Sequence, residues 1–214
     1  MYQIGIDEAG VGPVLGPMIV SGVLVHKASL PELQAMGVKD SKKFSSLAAR
    51  EKTLAKAVPF CLKAATFEIS AAELDNGNWI DLEIAKIAAI LQELTWLKAG
   101  IIYIPQIGKM KQSTLISKLA EFNRDFLTDA FTKKVIYEVD ADSKFLPVSL
   151  ASMFAKTARD QKIVALCQEL NEPYISGYPN KKTAAFLKNY FHKHKKLPHG
   201  VRRNRNWAPL RELL

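Results

Sequence analysis

Five short apolar runs recur along the chain with helical stretches between them, and that alternation restricts the fold to a sheet flanked by helices. The runs are YQIGI (2–6), PMIVSGVLVH (17–26), PFCLKAATFEI (59–69), IIYI (101–104) and VIYEV (135–139). Only the glycine-rich turn 10–16 separates the first two, so they read as neighbouring strands that a hairpin connection can join. Before the third run, Ser45 or Ser46 starts a helix that carries Arg50, Lys52 and Lys56 on its wet side. Ile80, Ile84, Ile87, Leu91 and Leu94 recur at alternating spacings of four and three, giving one apolar helical face, with Gly100 as its stop. Leu115, Leu119 and Phe122 mark another helix. A long one spans 148–170, with Ala151, Ala155 and Ala158 as a small-residue stripe for close packing. Strands separated by helices in the second half imply parallel neighbours, so the expected class is α/β with a mixed central sheet.

At 214 residues and 48% hydrophobic content, the chain can bury a core without disulfides or a structural metal. Cys61 and Cys167 lie far apart with no CxxC pair or zinc-type ladder, which points to a reducing, cytoplasmic setting. No apolar run is long enough to cross a bilayer, and MYQIGIDEAG is not a signal sequence, so no membrane association is expected. The net charge of +9 is unevenly spread. Residues 181–214 hold ten Lys/Arg and one acid, Glu212, so the excess lies wholly in the tail. A basic tail on a neutral body suits a polyanion, because Lys/Arg clusters gain by releasing counterions from phosphates; a solvated tail with no partner has the same composition. The composition shift near 175 divides a core, 1–175, from a C-terminal helical, basic segment, 176–214.

The chemistry gathers at strand ends. Asp7 and Glu8 close the first strand and run into AGVGPVLGP, placing two carboxylates beside a loop with little side chain. Adjacent like charges raise each other's pKa, and divalent cations with oxygen ligands are the usual remedy; a solvated acidic turn is the plain alternative. Gly10, Gly12 and Gly16 either bring exposed amides to a phosphate or ribose hydroxyl, or simply make a tight turn. VKDSKK (38–43) is either a phosphate clamp or a polar loop. Asp140 and Asp142 follow the last strand and precede the long helix, where carboxylates from separate strands converge.

GIDEAGVGPVLGPM, KDSKK, ADSKFLPVSLASMFAKTARD and SGYP, in that order from Ile4 to about Trp207, resemble the successive motifs of ribonuclease HII, nearest in wording to its archaeal branch. The resemblance implies a ribonuclease H-like fold. It also implies a Mg²⁺- or Mn²⁺-dependent endonuclease that cuts the RNA strand of RNA/DNA hybrids, or at a ribonucleotide embedded in duplex DNA, leaving a 5′-phosphate. By the same resemblance Asp7, Glu8 and Asp142 are the catalytic, metal-binding carboxylates. Gly10, Val11 and Gly12 form the loop that meets ribose hydroxyls, Tyr178 packs against the sugar, and Lys42 and Lys43 hold phosphates. The chain is expected to act as a monomer, with nucleic acid and no obligatory protein as its partner.

Two departures fall on the chemistry. The family's remaining aspartate aligns with Pro105, and no acid occurs between Gly100 and Ala120 to replace it. Asp140 is the nearest substitute, and Asp160, along the following helix, a more distant one. Val11 stands where the family commonly has arginine, removing one bidentate phosphate contact but not the backbone amides. Loss of the acid at 105 also raises an alternative, a hybrid-binding protein of the same fold that cuts weakly or not at all. The basic tail is read as an electrostatic arm, with Phe186, Leu187 and Tyr190 docking its helix.

Overall fold

The computed structural model describes residues 1–38, 44 and 46–214. Five strands, β1 (Tyr2–Ala9), β2 (Met18–His26), β3 (Cys61–Ile69), β4 (Ala99–Pro105) and β5 (Val135–Glu138), form one sheet in the order β3-β2-β1-β4-β5. β1 pairs antiparallel with β2, and β2 with β3, whereas β4 runs parallel to both β1 and β5. The sheet is therefore mixed, and the carboxyl ends of its three parallel strands lie at one edge. Helices connect and cover it: α1 (Leu30–Ala35), α2 (Leu47–Ala57), α3 (Ala71–Asn76), α4 (Trp79–Glu93), α5 (Gln112–Ala120), α6 (Asp129–Thr132), α7 (Ala141–Lys144), α8 (Leu146–Glu169), α9 (Lys181–His194) and α10 (Ala208–Arg211).

The main core lies between the sheet and α4. Ile4 and Ile6 of β1 and Ile102 and Ile104 of β4 point the same way by strand alternation, and they meet Ile84, Ile87 and Leu91 of the helix. On the opposite face α8 crosses β1 and β2 so closely that a Cβ on Gly5 would lie 2.2 Å from the Pro147 carbonyl carbon. Only glycine fits there, and this contact fixes how deeply α8 sits on the sheet. Pro147 in the first turn suits the start of α8, and Asn171 in the left-handed region (φ 54°) follows its end.

Two features differ from the sequence reading, the end of α4 and the placement of Arg50, while the expected serine start of α2 is found. α4 stops at Glu93, left-handed Thr95 (φ 56°) turns the chain, and Gly100 lies inside β4, where a Cβ would strike the Met1 side chain. Ser46 caps α2 by accepting from the Ala49 N–H at 3.1 Å. Within that helix Arg50 is not on the wet side. It is buried, donating from Nε to Thr157 Oγ1 at 3.1 Å and forming an ion pair with Asp160. A guanidinium with a carboxylate and a hydroxyl in reach leaves water readily enough to tie α2 to α8.

The basic C-terminal segment is docked. Phe186 and Leu187 of α9, with Leu197, Val201 and Leu210, pack on Leu15 and on Ile163, Leu166 and Cys167 of α8, with Tyr190 at the margin. Its backbone is stitched to the glycine-rich turn: Val201 bridges Leu15, and the Gly16 N–H donates to the Gly200 carbonyl at 2.8 Å.

Candidate active site

β1 delivers Asp7 and Glu8 to the edge where the parallel strands end, and β4 delivers Pro105 to the same edge. β5 stops at Glu138, so Asp140 and Asp142 do not share a strand face. Asp140 has left-handed backbone (φ 53°), its carbonyl accepts from Ser143 Oγ at 2.8 Å, and Asp142 sits in the first turn of α7. The Asp142 carbonyl in turn accepts from Ser149 Oγ of α8 at 2.5 Å, which fixes that turn against the long helix.

These elements enclose a cleft of about 350 Å³ lined by Asp7, Glu8, Gly10, Val11, Gly12, Pro105, Gln106, Asp140, Asp142, Lys156 and Tyr178 among others. It brings together Asp7, Glu8, Gly10, Val11, Gly12, Asp140, Asp142 and Tyr178 as singled out in the sequence, but not Gly16 or Asp160; Lys42 and Lys43 lie outside the described residues. Asp7 and Asp142 are buried, and Asp140 is exposed at the rim. A larger cleft of about 640 Å³, between α3 and the C-terminal segment, has one acid in its lining, Asp75, whose carboxylate oxygens accept from the Arg203 and Asn204 amides. It lacks the paired carboxylates that make the smaller cleft chemically distinctive.

Burial, followed by the adjacent Glu8 charge, holds the Asp7 carboxyl well above the ordinary carboxylate value; a hydrogen bond from Ser152 and the Lys156 ammonium oppose this, and Asp142 adds to it. Glu8 is also raised by burial, less so because a backbone N–H and Asp7 share hydrogen bonds with it and Lys156 lies near. A third acid enters from the other side of the sheet. Glu83 of α4 is 3% exposed, its Oε2 has no hydrogen-bond partner among the described residues, and burial together with Glu8 and Asp7 raises it strongly.

Desolvated carboxylates held next to one another are what a hard divalent cation stabilises, and an all-oxygen donor set suits Mg²⁺ or Mn²⁺. By donor chemistry the cleft fits such ions. Among the described residues, no three acidic, histidine or cysteine side chains converge on one point. Asp160 is not among the carboxylates of the cleft, since Arg50 and Arg159 both pair with it.

Around the carboxylates the glycine-rich turn is shaped by its neighbours. Gly10 is left-handed (φ 95°), and a Cβ there would approach the Pro17 carbonyl to 2.8 Å and the Arg159 side chain to 3.2 Å. The Val11 side chain is half-buried and packs against the main core. Tyr178 stands beside Gly12, with Arg159 stacked 4.9 Å from its ring centre and donating to the Ser176 carbonyl at 2.6 Å. Ser152, Lys156, Arg159, Glu83 and Arg202 were missed in the sequence as parts of this region. For the first three, the signal was their recurrence at spacings of three and four on one side of α8.

Comparison with known proteins finds similarity over the full length of the chain. The family profile described as Ribonuclease HII matches residues 4–207. A ribonuclease HII from Thermococcus onnurineus is 36% identical over the whole of this chain and 90% of its own length. The crystal structure of ribonuclease H2 from Pyrococcus horikoshii OT3 superposes with a TM-score of 0.84 at 30% identity, covering 100% of this chain and 97% of that one. The ribonuclease HII solved with PCNA from Archaeoglobus fulgidus gives 0.78 at 28% identity, covering 95% of each. With a family profile matched over nearly the whole chain, full-length sequence similarity and a full-length structural match, the chain belongs to the ribonuclease HII family.

Proposed function

We propose that the chain is a divalent-metal-dependent endonuclease that hydrolyses the RNA strand of RNA/DNA hybrids, or cuts beside ribonucleotides embedded in duplex DNA, leaving 5′-phosphate ends. The observation that carries this reading is the burial of Asp7 beside Glu8, in one cleft with Asp142, at the carboxyl ends of parallel strands. A protein that only bound hybrids would have no use for two desolvated carboxylates whose charges oppose each other.

In this reading Asp7, Glu8 and Asp142 hold Mg²⁺ or Mn²⁺, which when bound supplies activation of the attacking water and stabilisation of the leaving 3′ oxygen. Ser152 fixes the Asp7 carboxylate by hydrogen bonding, and Lys156 offsets part of the negative charge while the site is empty of substrate. Asp140, the fourth acid lining the cleft, takes over from the aspartate that Pro105 replaces. Gly10, Val11 and Gly12 offer main-chain groups to the ribose, Tyr178 offers its ring face to the sugar, and Lys42 and Lys43 hold phosphates. The segment 176–214 serves as the substrate-binding part of the molecule, and its exposed Lys193, Lys195 and Lys196 supply backbone contacts.

The test is cleavage of end-labelled hybrid, and of duplex DNA carrying one ribonucleotide, in Mg²⁺ and in Mn²⁺, beside Asp7→Asn. Metal-dependent cutting that the variant loses is expected. Binding without cutting in either metal would overturn the catalytic reading in favour of the hybrid-binding alternative.

A further inference from the structure

A loop built from glycines has no side chains with which to hold its own shape, so something outside it must set the direction of its peptide groups. Here that role falls to arginines approaching from behind. Arg202 is completely buried; its Nε donates to the Gly16 carbonyl at 2.8 Å and its Nη1 to the Val11 carbonyl at 3.2 Å. Arg205 Nη2 donates to the same Val11 oxygen. The Arg202 backbone joins in, its N–H donating to the Val14 carbonyl at 2.9 Å. Two guanidinium groups thus converge on a single carbonyl, and neither arginine lines the cleft that Val11 and Gly12 line.

The consequence follows from peptide planarity. The carbonyl of Val11 and the N–H of Gly12 belong to one rigid trans unit and point in opposite directions. Drawing the carbonyl back toward Arg202 and Arg205 therefore turns the Gly12 N–H the other way, toward the cleft, on the side where Tyr178 stands. Among the described residues that N–H has no backbone or side-chain acceptor. Burial, together with Arg205 and Arg159 nearby, pulls the Arg202 guanidinium down to about 9, so it remains charged at neutral pH.

We propose that Arg202, assisted by Arg205, is a positioning residue for substrate selection: by clamping the Val11 carbonyl it aims the Gly12 amide at the ribose 2′-hydroxyl, and so sets the preference for a ribonucleotide over a deoxyribonucleotide. This inference deepens the endonuclease reading and rests on it. Lysine cannot replace this arginine, since one ammonium cannot reproduce a planar fork shared between two carbonyls.

The experiment compares wild type with Arg202→Lys and Arg205→Lys, both of which keep the net charge. Binding to duplex DNA with one ribonucleotide and to the matching all-DNA duplex is measured in EDTA, with thermal unfolding of each protein in parallel. For Arg202→Lys the ratio of the two affinities is expected to shrink by about tenfold, the equivalent of one charged hydrogen bond, while all-DNA affinity stays within about twofold. A merely structural role would weaken both duplexes alike, or lower only the melting temperature. An unchanged ratio in a folded Arg202→Lys protein would overturn the inference. If that variant does not fold, Arg205→Lys decides the matter, with a smaller narrowing expected and an unchanged ratio again overturning it. Failure of the wild type to prefer the ribonucleotide duplex would overturn the functional reading, and this inference with it.

Discussion

Asp7 is 8% exposed, with an acidic neighbour on its own strand, a hydroxyl donor on α8 and a lysine within reach. Its chemistry follows from that crowding. Because burial raises Asp7, Glu8 and Glu83, the metal-free folded state binds more protons than the unfolded chain from about pH 4, the ordinary carboxylate range, up to the raised values. Stability contributed by these groups is therefore complete below that range and is lost as pH rises through the folded-state values. Metal-free protein should melt higher at pH 5 than at pH 7, and Asp7→Asn should reduce this difference. At pH 7 the variant should gain a few degrees in metal-free melting temperature, since ~1 kcal/mol moves a domain of this size by roughly 2–4 °C. Mn²⁺ should raise the melting temperature of the wild type but hardly that of Asp7→Asn; differential scanning fluorimetry reads all of these. An equal Mn²⁺ shift in both proteins would remove Asp7 from the metal site.

At the scale of single elements, the end of β4 and the seam between α2 and α8 are the places where sequence and site meet. Pro105 occupies the last position of β4 and lines the carboxylate cleft, so Pro105→Asp should return an acidic ligand to that strand end. The expected result is tighter Mn²⁺ binding by titration calorimetry and a kcat at least about tenfold higher, equivalent to ~1.4 kcal/mol of barrier; weaker binding would show that Asp140 already fills the role better. Arg50 ties α2 to α8 through Thr157, the Lys156 carbonyl and Asp160. Arg50→Met should cost about 3 kcal/mol, the bottom of the range for breaking a buried pair because Asp160 remains partly exposed, and this is measurable as a drop in urea midpoint at unchanged m. A capping serine located α2 and a small-residue stripe located α8. Neither disclosed the seam, because a charged residue on a helix reads as solvent-facing by default, and only a partner on another element reverses that.

For the molecule as a whole, the C-terminal segment is part of the fold as well as a source of positive charge. Leu197, Val201, Arg202 and Leu210 are buried, so removing residues 192–214 would expose a second core and lose the clamp on the glycine loop together with the tail's charge. The electrostatic contribution is better isolated by changing exposed Lys193, Lys195 and Lys196 to Gln. If all three meet phosphates, the slope of log affinity against log salt should fall by about 2 to 3 in fluorescence anisotropy titrations, whereas an unaltered slope would place the substrate elsewhere. The sequence by itself determined what is written in local patterns: five strands, the helices between them, the acids at two strand ends and the glycines that follow the first of them. Those features depend on the spacing of neighbours and on backbone freedom, and both are readable within a few residues. Tertiary structure alone decided that Glu83 comes up under Glu8, that Arg50 and Arg202 turn inward, and that residues nearly two hundred apart, such as Val11 and Arg202, share a hydrogen bond. Burial of a polar group depends on whether a partner arrives from a distant part of the chain, and no local pattern records that arrival.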